Sequence, residues 1–296
     1  MPMVLLKYTF TLPYHINMVE GEVTKNIEIP LEKNNKITLY PPTASKKERF
    51  VNYRSPEVTI WSANQIDIDV QIEVEAPSSF RELNKKFAPI AEKYLRLFLR
   101  YCRSETEQYQ IDLRESHYPT HAVYIDQNGK QDRYGIMLTT MEIGEEPCLN
   151  NRAWQSMSKD ILGQTRIPFW TEALLDAKLY RLSGDYRMSV LSSAMGIEHV
   201  IHAYLRKKLV SLENISQKQI DKFLAEVSNR LLVTVGFGIF SSIDSNILEN
   251  CSEILDLRNN ILHNQKRTIH LDEATKSINN LEALILAKDV NDILGD

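Results

Sequence analysis

The 296-residue chain has no Cys-x-x-Cys pair. Its three cysteines, Cys102, Cys148 and Cys251, are far apart and odd in number. That excludes a disulfide framework and the common zinc-ligand spacings, and it fits thiols buried in a reducing compartment. His-Glu-x-x-His is missing, and so are Gly-x-Gly-x-x-Gly, the Walker phosphate loop and the Gly-x-Ser-x-Gly elbow. No dinucleotide, nucleoside-triphosphate or serine-hydrolase reading has a motif to stand on, and no cofactor or metal is expected. Glycine (10) and proline (11) are too scarce for a low-complexity chain. Positive charge is not in excess: the net charge is −4, split as −3 over residues 1–149 and −1 over 150–296. A protein that coats nucleic acid is usually basic. The most apolar run, Leu231 to Phe240, is interrupted by two glycines and is about half a bilayer span. The first fourteen residues lack a basic start and a long apolar middle. The expectation is a cytoplasmic protein with no membrane partner.

What is present changes character near residue 150. Before it, apolar and polar residues alternate in short segments. Val4–Leu12, Val23–Ile29, Lys36–Tyr40, Val58–Trp61, Gln65–Glu75, Tyr109–Leu113, Ala122–Ile125 and Tyr134–Glu142 read as strands. In Gln65–Glu75 the residues Ile66, Ile68, Val70, Ile72 and Val74 share one face, as in a half-buried antiparallel sheet. Pro77-Ser78-Ser79 offers a cap for one long helix over about 80–103, with Leu83, Phe87, Ile90, Tyr94, Leu97 and Phe98 as its stripe and Pro89 as a kink or the start of a second helix. After residue 168 the apolar period becomes three to four. Helices are expected near 169–182, 186–210, 216–229, 244–264 and 272–290, broken by Ser183-Gly184-Asp185 and started by Ser216, Asp244 and Asp272. The fold class is therefore a two-domain α+β protein. Residues 1–145 form a mostly antiparallel sheet with one long helix, 146–167 a connector with a short helix, and 168–296 an all-α bundle of four to five helices.

The stretch that carries chemistry is Asp256-Leu257-Arg258-Asn259-Asn260-Ile261-Leu262-His263-Asn264. On a helix, Asn259 and His263 share a face, Arg258 flanks it, and Ile254, Leu257 and Ile261 form the buried stripe. Arginine brings a permanent charge and a planar fork that fits phosphate oxygens. Histidine exchanges protons near neutral pH. RNA supplies its own nucleophile, the 2′-hydroxyl, so such a pair needs no metal. His199 and His202, three apart on a helix, share a face as well, but no third metal ligand is evident. A surface arginine beside a helix-end histidine is the alternative meaning of Arg258 and His263, since the helix dipole favours a cation there.

Over about residues 168–292 the chain resembles the HEPN superfamily of small helical domains of prokaryotic defence and toxin–antitoxin systems. The resemblance rests on Leu174-Leu175-Asp176-Ala177, Gly184-Asp185-Tyr186-Arg187 and Met195-Gly196-Ile197-Glu198. It rests also on Arg258-Asn259-Asn260-Ile261-Leu262-His263, which matches the family's arginine, polar residue, three variable residues and histidine. It implies that Arg258 and His263 are catalytic residues of a metal-independent endoribonuclease. It implies further that two copies of the bundle pair to form one composite site. Asn259 fills the polar position after the arginine, and Glu198 matches an acidic position near the site.

The resulting expectation is an endoribonuclease effector of bacterial defence (abortive infection) or of a toxin–antitoxin system. It would act on RNA as a homodimer, with the first 145 residues binding a trigger, an inhibitor or a partner. Lys266 and Arg267 are positioned to grip a flanking phosphate; as cations after a helix end they need no ligand. The alternative function is a non-catalytic dimerisation, nucleotide-binding or protein-interaction module.

Overall fold

In a computed structural model the chain forms two compact units, Met1–Arg166 and Ile167–Asp296. The structure describes all residues except 1–2, 20, 44–48, 52–58, 75–78, 109–110, 112–118, 127–128, 130, 136–148, 164, 213–214, 239–240, 264–267 and 295–296; for 49–51, 59–60, 131–135, 230 and 234–236 it describes the backbone only. All of the expected strand at Tyr109–Leu113 except the buried Ile111, most of the one at Tyr134–Glu142, and Cys148, Lys266 and Arg267 lie outside the described residues or their side chains.

The first unit is an antiparallel sheet with two helices. Its strands are β1 (Met3–Val19), β2 (Ile27–Pro30), β3 (Lys36–Leu39), β4 (Arg49–Val51), β5 (Thr59–Glu73), β6 (His121–Ile125) and β7 (Gln131–Gly135). The sheet order is β2-β3-β5-β1-β6-β7, with β4 on the end of β5. Strict alternation puts Val4, Leu6, Tyr8, Phe10, Leu12, Tyr14 and Ile16 of β1 in the core beside Ile66, Ile68, Val70 and Ile72 of β5. The strand expected at 4–12 runs on to Val19. The two strands expected at 58–61 and 65–75 are one, because Ser62 and Ala63 continue the pairing with β1 and Asn64 carries the strand across the slip. The register slips between Thr11 and Ile16, the interval that holds Pro13. Proline cannot donate to a ladder, so a bulge there relieves the sheet of that demand. Beyond Thr9 the free side of β1 is met, among the described residues, by single groups. The Gln108 carboxamide takes both the N–H and the C=O of Asn17 (2.8 and 3.2 Å), and Leu149 pairs with Asn17 and Val19 (2.5 and 2.9 Å).

Helix α1 (Phe80–Thr106) opens on a Ser79/Glu82 capping box and continues past Pro89 as one helix. Its buried residues are Leu83, Ala91, Leu95, Phe98, Leu99, Tyr101, Cys102, Arg103 and Thr106. Phe87, Ile90, Tyr94 and Leu97, expected on the core stripe, are only partly buried. The stripe is turned because α2 (Asn151–Gly163) packs on α1, with Trp154 edge-on to Phe98. Residues 151–163, expected in a connector, thus pack within the first unit.

The second unit holds α3 (Phe169–Leu182), α4 (Tyr186–Val210), α5 (Gln217–Glu226), α6 (Asn229–Leu231) continuing as a π-turn over Leu232–Phe237, α7 (Ser245–Leu262), α8 (Leu271–Leu286) and α9 (Lys288–Leu294). Gly184, at φ 81°, makes the break between α3 and α4, and Asp185 caps α4 through the Met188 N–H. Helix α4 is the spine: α3, α7 and α8 all pack on it. Ala194, Ile197, Ile201, Tyr204 and Leu205 meet Leu232, Val233, Phe237, Cys251, Ile254 and Leu281. Of the apolar run after Asn229, Leu232, Val233 and Phe237 are core, carried on a π-helical turn, while Leu231 is exposed. Among the described residues no helix is long and apolar enough to cross a membrane.

Candidate functional site

The candidate residues sit where α4, α6 and α7 meet. Ile254, Leu255 and Ile261 turn one face of α7 into the core. Arg258, on the margin of that face, has a side chain 30% exposed and reaches Glu198 of α4, whose side chain is 18% exposed. Arg258 Nη2 lies 3.4 Å from Glu198 Oε1, and Arg258 Nη1 donates to Asn259 Oδ1 at 2.9 Å. Glu198 also accepts from Asn229 Nδ2 at 2.6 Å, and Asn229 Oδ1 is 3.0 Å from His202 Nε2. One connected polar chain runs His202, Asn229, Glu198, Arg258, Asn259.

Chemistry fixes the direction of this chain. A carboxylate that faces a guanidinium accepts hydrogen bonds, so the Asn229 atom against it is the amide nitrogen. The Asn229 oxygen then faces His202, and His202 carries its hydrogen on Nε2. His199, three residues before His202, turns to a different neighbour: its ring lies 4.1 Å from that of Phe169. Partial loss of water holds the pKa of the exposed His199 below its usual value, assisted by the nearby His202 and opposed by Glu198. The two histidines thus serve separate contacts, and among the described residues no three His, Cys, Asp or Glu side chains cluster to hold a metal.

His263 closes α7 as its C-cap. Its backbone N–H donates to the carbonyl of Asn259 at 3.0 Å. The imidazole is exposed and has no hydrogen-bond or ion-pair partner among the described residues. Five residues of helix turn it about 140° from Arg258, so the two side chains leave α7 in different directions. Arg187, from the start of α4, donates Nη2 to the carbonyl of Ile261 at 3.1 Å and satisfies an end carbonyl of α7 two residues before His263.

The structure therefore brings Arg258, Asn259 and Glu198 together and leaves His263 at the helix end beside them. Sequence reasoning missed Asn229; it read His202 as a satisfied helix residue, and the partner that satisfies it is Asn229. Glu198 and His202 stand at i and i+4, which places them on one face of α4. Nothing local marks Asn229, which comes from another helix. Comparison of the chain with protein-family models, with curated proteins and with solved structures finds no match.

Proposed function

We propose that the second unit is a HEPN-like bundle that cleaves RNA without a metal, two copies joining to complete one site. The observation that supports this reading is the placement of Arg258. Its guanidinium is held from one side by Glu198 and Asn259, is part-exposed, and keeps further N–H donors for an anion. In the proposed reaction Arg258 holds the scissile phosphate and offsets the charge that builds on its oxygens. His263 takes the proton of the 2′-hydroxyl or gives one to the departing 5′-oxygen. The 2′-oxygen bonds to phosphorus as the P–O5′ bond breaks, leaving a 2′,3′-cyclic phosphate and a 5′-hydroxyl. The separation of the two side chains on one α7 is the reason to place Arg258 of one copy opposite His263 of the other. The first unit would bind the trigger or inhibitor.

The test is RNA cleavage in EDTA by the full chain, Arg258→Ala and His263→Ala, with end-group analysis. Cleavage by the unaltered chain that both variants lose supports the proposal. Equal cleavage by all three, or products carrying 5′-phosphate, sinks it. A second reading, a non-catalytic binding module, draws on the Arg258–Glu198 pair itself, which gives the arginine a structural task. Full binding of RNA without cleavage under every trigger tried would favour it.

A further inference from the structure

We propose that Asn229 and His202 are positioning residues for Arg258, acting through Glu198. This deepens the reading above and rests on Arg258 being the group that takes the phosphate. An unrestrained arginine on a helix margin samples many rotamers, and each must be given up when it binds. Here the Glu198 carboxylate is the near anchor. Glu198 is itself a flexible side chain, so it anchors Arg258 only if something fixes it. Asn229 does so from a different helix, at 2.6 Å. Asn229 is set in turn by the His202 N–H at 3.0 Å, since an amide with its oxygen engaged cannot flip its nitrogen away from Glu198. Each link joins a donor to an acceptor: carboxylate oxygen from amide nitrogen, and amide oxygen from imidazole Nε2. The chain spans α4, α6 and α7, so packing of the three helices sets the direction of the guanidinium. Pre-ordering of this kind improves binding without adding a contact to the ligand.

The test uses the full chain and, as probe, an oligoribonucleotide whose riboses carry 2′-O-methyl groups, which blocks the internal nucleophile. Nitrogen-15 NMR of the imidazoles reports the His202 tautomer; fluorescence anisotropy reports affinity for the probe. The expected result has four parts. His202 carries hydrogen on Nε2. Arg258→Ala weakens the probe by about tenfold or more, as loss of a charged contact does. Asn229→Ala and His202→Phe each weaken it by roughly three- to tenfold while touching no phosphate. His202→Gln, which keeps a side-chain N–H donor, binds within about twofold of the unaltered chain.

Failures of the two claims separate cleanly. If Arg258→Ala binds as tightly as the unaltered chain, the phosphate reading of Arg258 falls, and this inference with it. If Arg258→Ala loses the probe but Asn229→Ala and His202→Phe keep it, Arg258 stands and the positioning chain is overturned. A His202 carrying its hydrogen on Nδ1 overturns the chain as well. Should Asn229→Ala fail to fold, the contrast of His202→Phe with His202→Gln decides: equal loss in both overturns the proposal.

Discussion

Gly196 of α4 lies directly beneath Leu281 of α8. A methyl added at Gly196 would stand 2.6 Å from one Leu281 Cδ, 3.1 Å from the other and 3.3 Å from Ala173 Cβ. The helix needs no glycine for its dihedrals here, and alanine would gain about 1 kcal/mol of helix propensity. Leu281 is fully buried, however, and has nowhere to swing. Overpacking costs about 1–3 kcal/mol, so the clash wins. Gly196→Ala is expected to lose about 1 kcal/mol net in urea unfolding. An unchanged or raised midpoint would show that α4 and α8 separate more easily than their contact suggests.

Asp69 is buried on the polar side of the sheet, where Tyr40 donates to it at 2.9 Å and Lys7 stands at 3.5 Å. Burial raises its pKa above the usual 3.8, although Tyr40 and Lys7 pull it down. A carboxyl raised on folding binds its proton more tightly in the folded chain, so stability falls as pH rises from 3.8 through the higher folded value. Asp69→Asn removes that loss and keeps an acceptor for Tyr40. Its melting temperature should exceed that of the unaltered chain at pH 7 and converge with it below pH 3.8. A gap that persists in acid would point to a packing effect instead.

For His199 the sign is reversed. His199 is exposed, yet loss of part of its water lowers its pKa from 6.5, so the unfolded chain binds the extra proton first. Stability is complete above 6.5 and is lost as pH falls toward the folded value. His199→Gln should flatten stability measured just below pH 6.5, and an NMR titration of His199 should give a midpoint under 6.5. A midpoint at or above it contradicts the assignment.

The thiols of Cys102 and Cys251 are buried, and burial pushes both up to about 12. The thiolate is the reactive form. Iodoacetamide at pH 7.5 is expected to leave both unmodified in the folded chain and to label both in denaturant, as peptide mapping would read. Rapid labelling of either under native conditions would mean that its helix opens often.

Much of the second unit is legible in its own sequence, because its signals are local. Ser183-Gly184-Asp185 ends one helix and caps the next, and Asp244 and Ser216 mark their starts as side-chain caps. The first unit is less so. The slip around Pro13 and the small residues Ser62–Asn64 hide two long strands as shorter pieces, and only pairing between them reveals their length. The facing of α1 depends on α2, which no periodicity within α1 can report. The site divides in the same way. Arg258, Asn259 and His263 stand in one helix and can be read as a pattern. Glu198 enters through resemblance. Asn229 enters only when α6 folds against α4.

The grip of Gln108 on Asn17 has a meaning beyond holding one loop in place. A strand with its hydrogen-bonding side bare is a template on which another chain can build, and proteins guard such sides. Here a single carboxamide occupies both groups of Asn17, so that stretch of β1 has nothing to offer an incoming strand. Leu149 extends the guard, bonding the Asn17 carbonyl and the Val19 N–H. Loss of the Gln108 carboxamide would bare the Asn17 N–H, and the cost would appear as aggregation on storage.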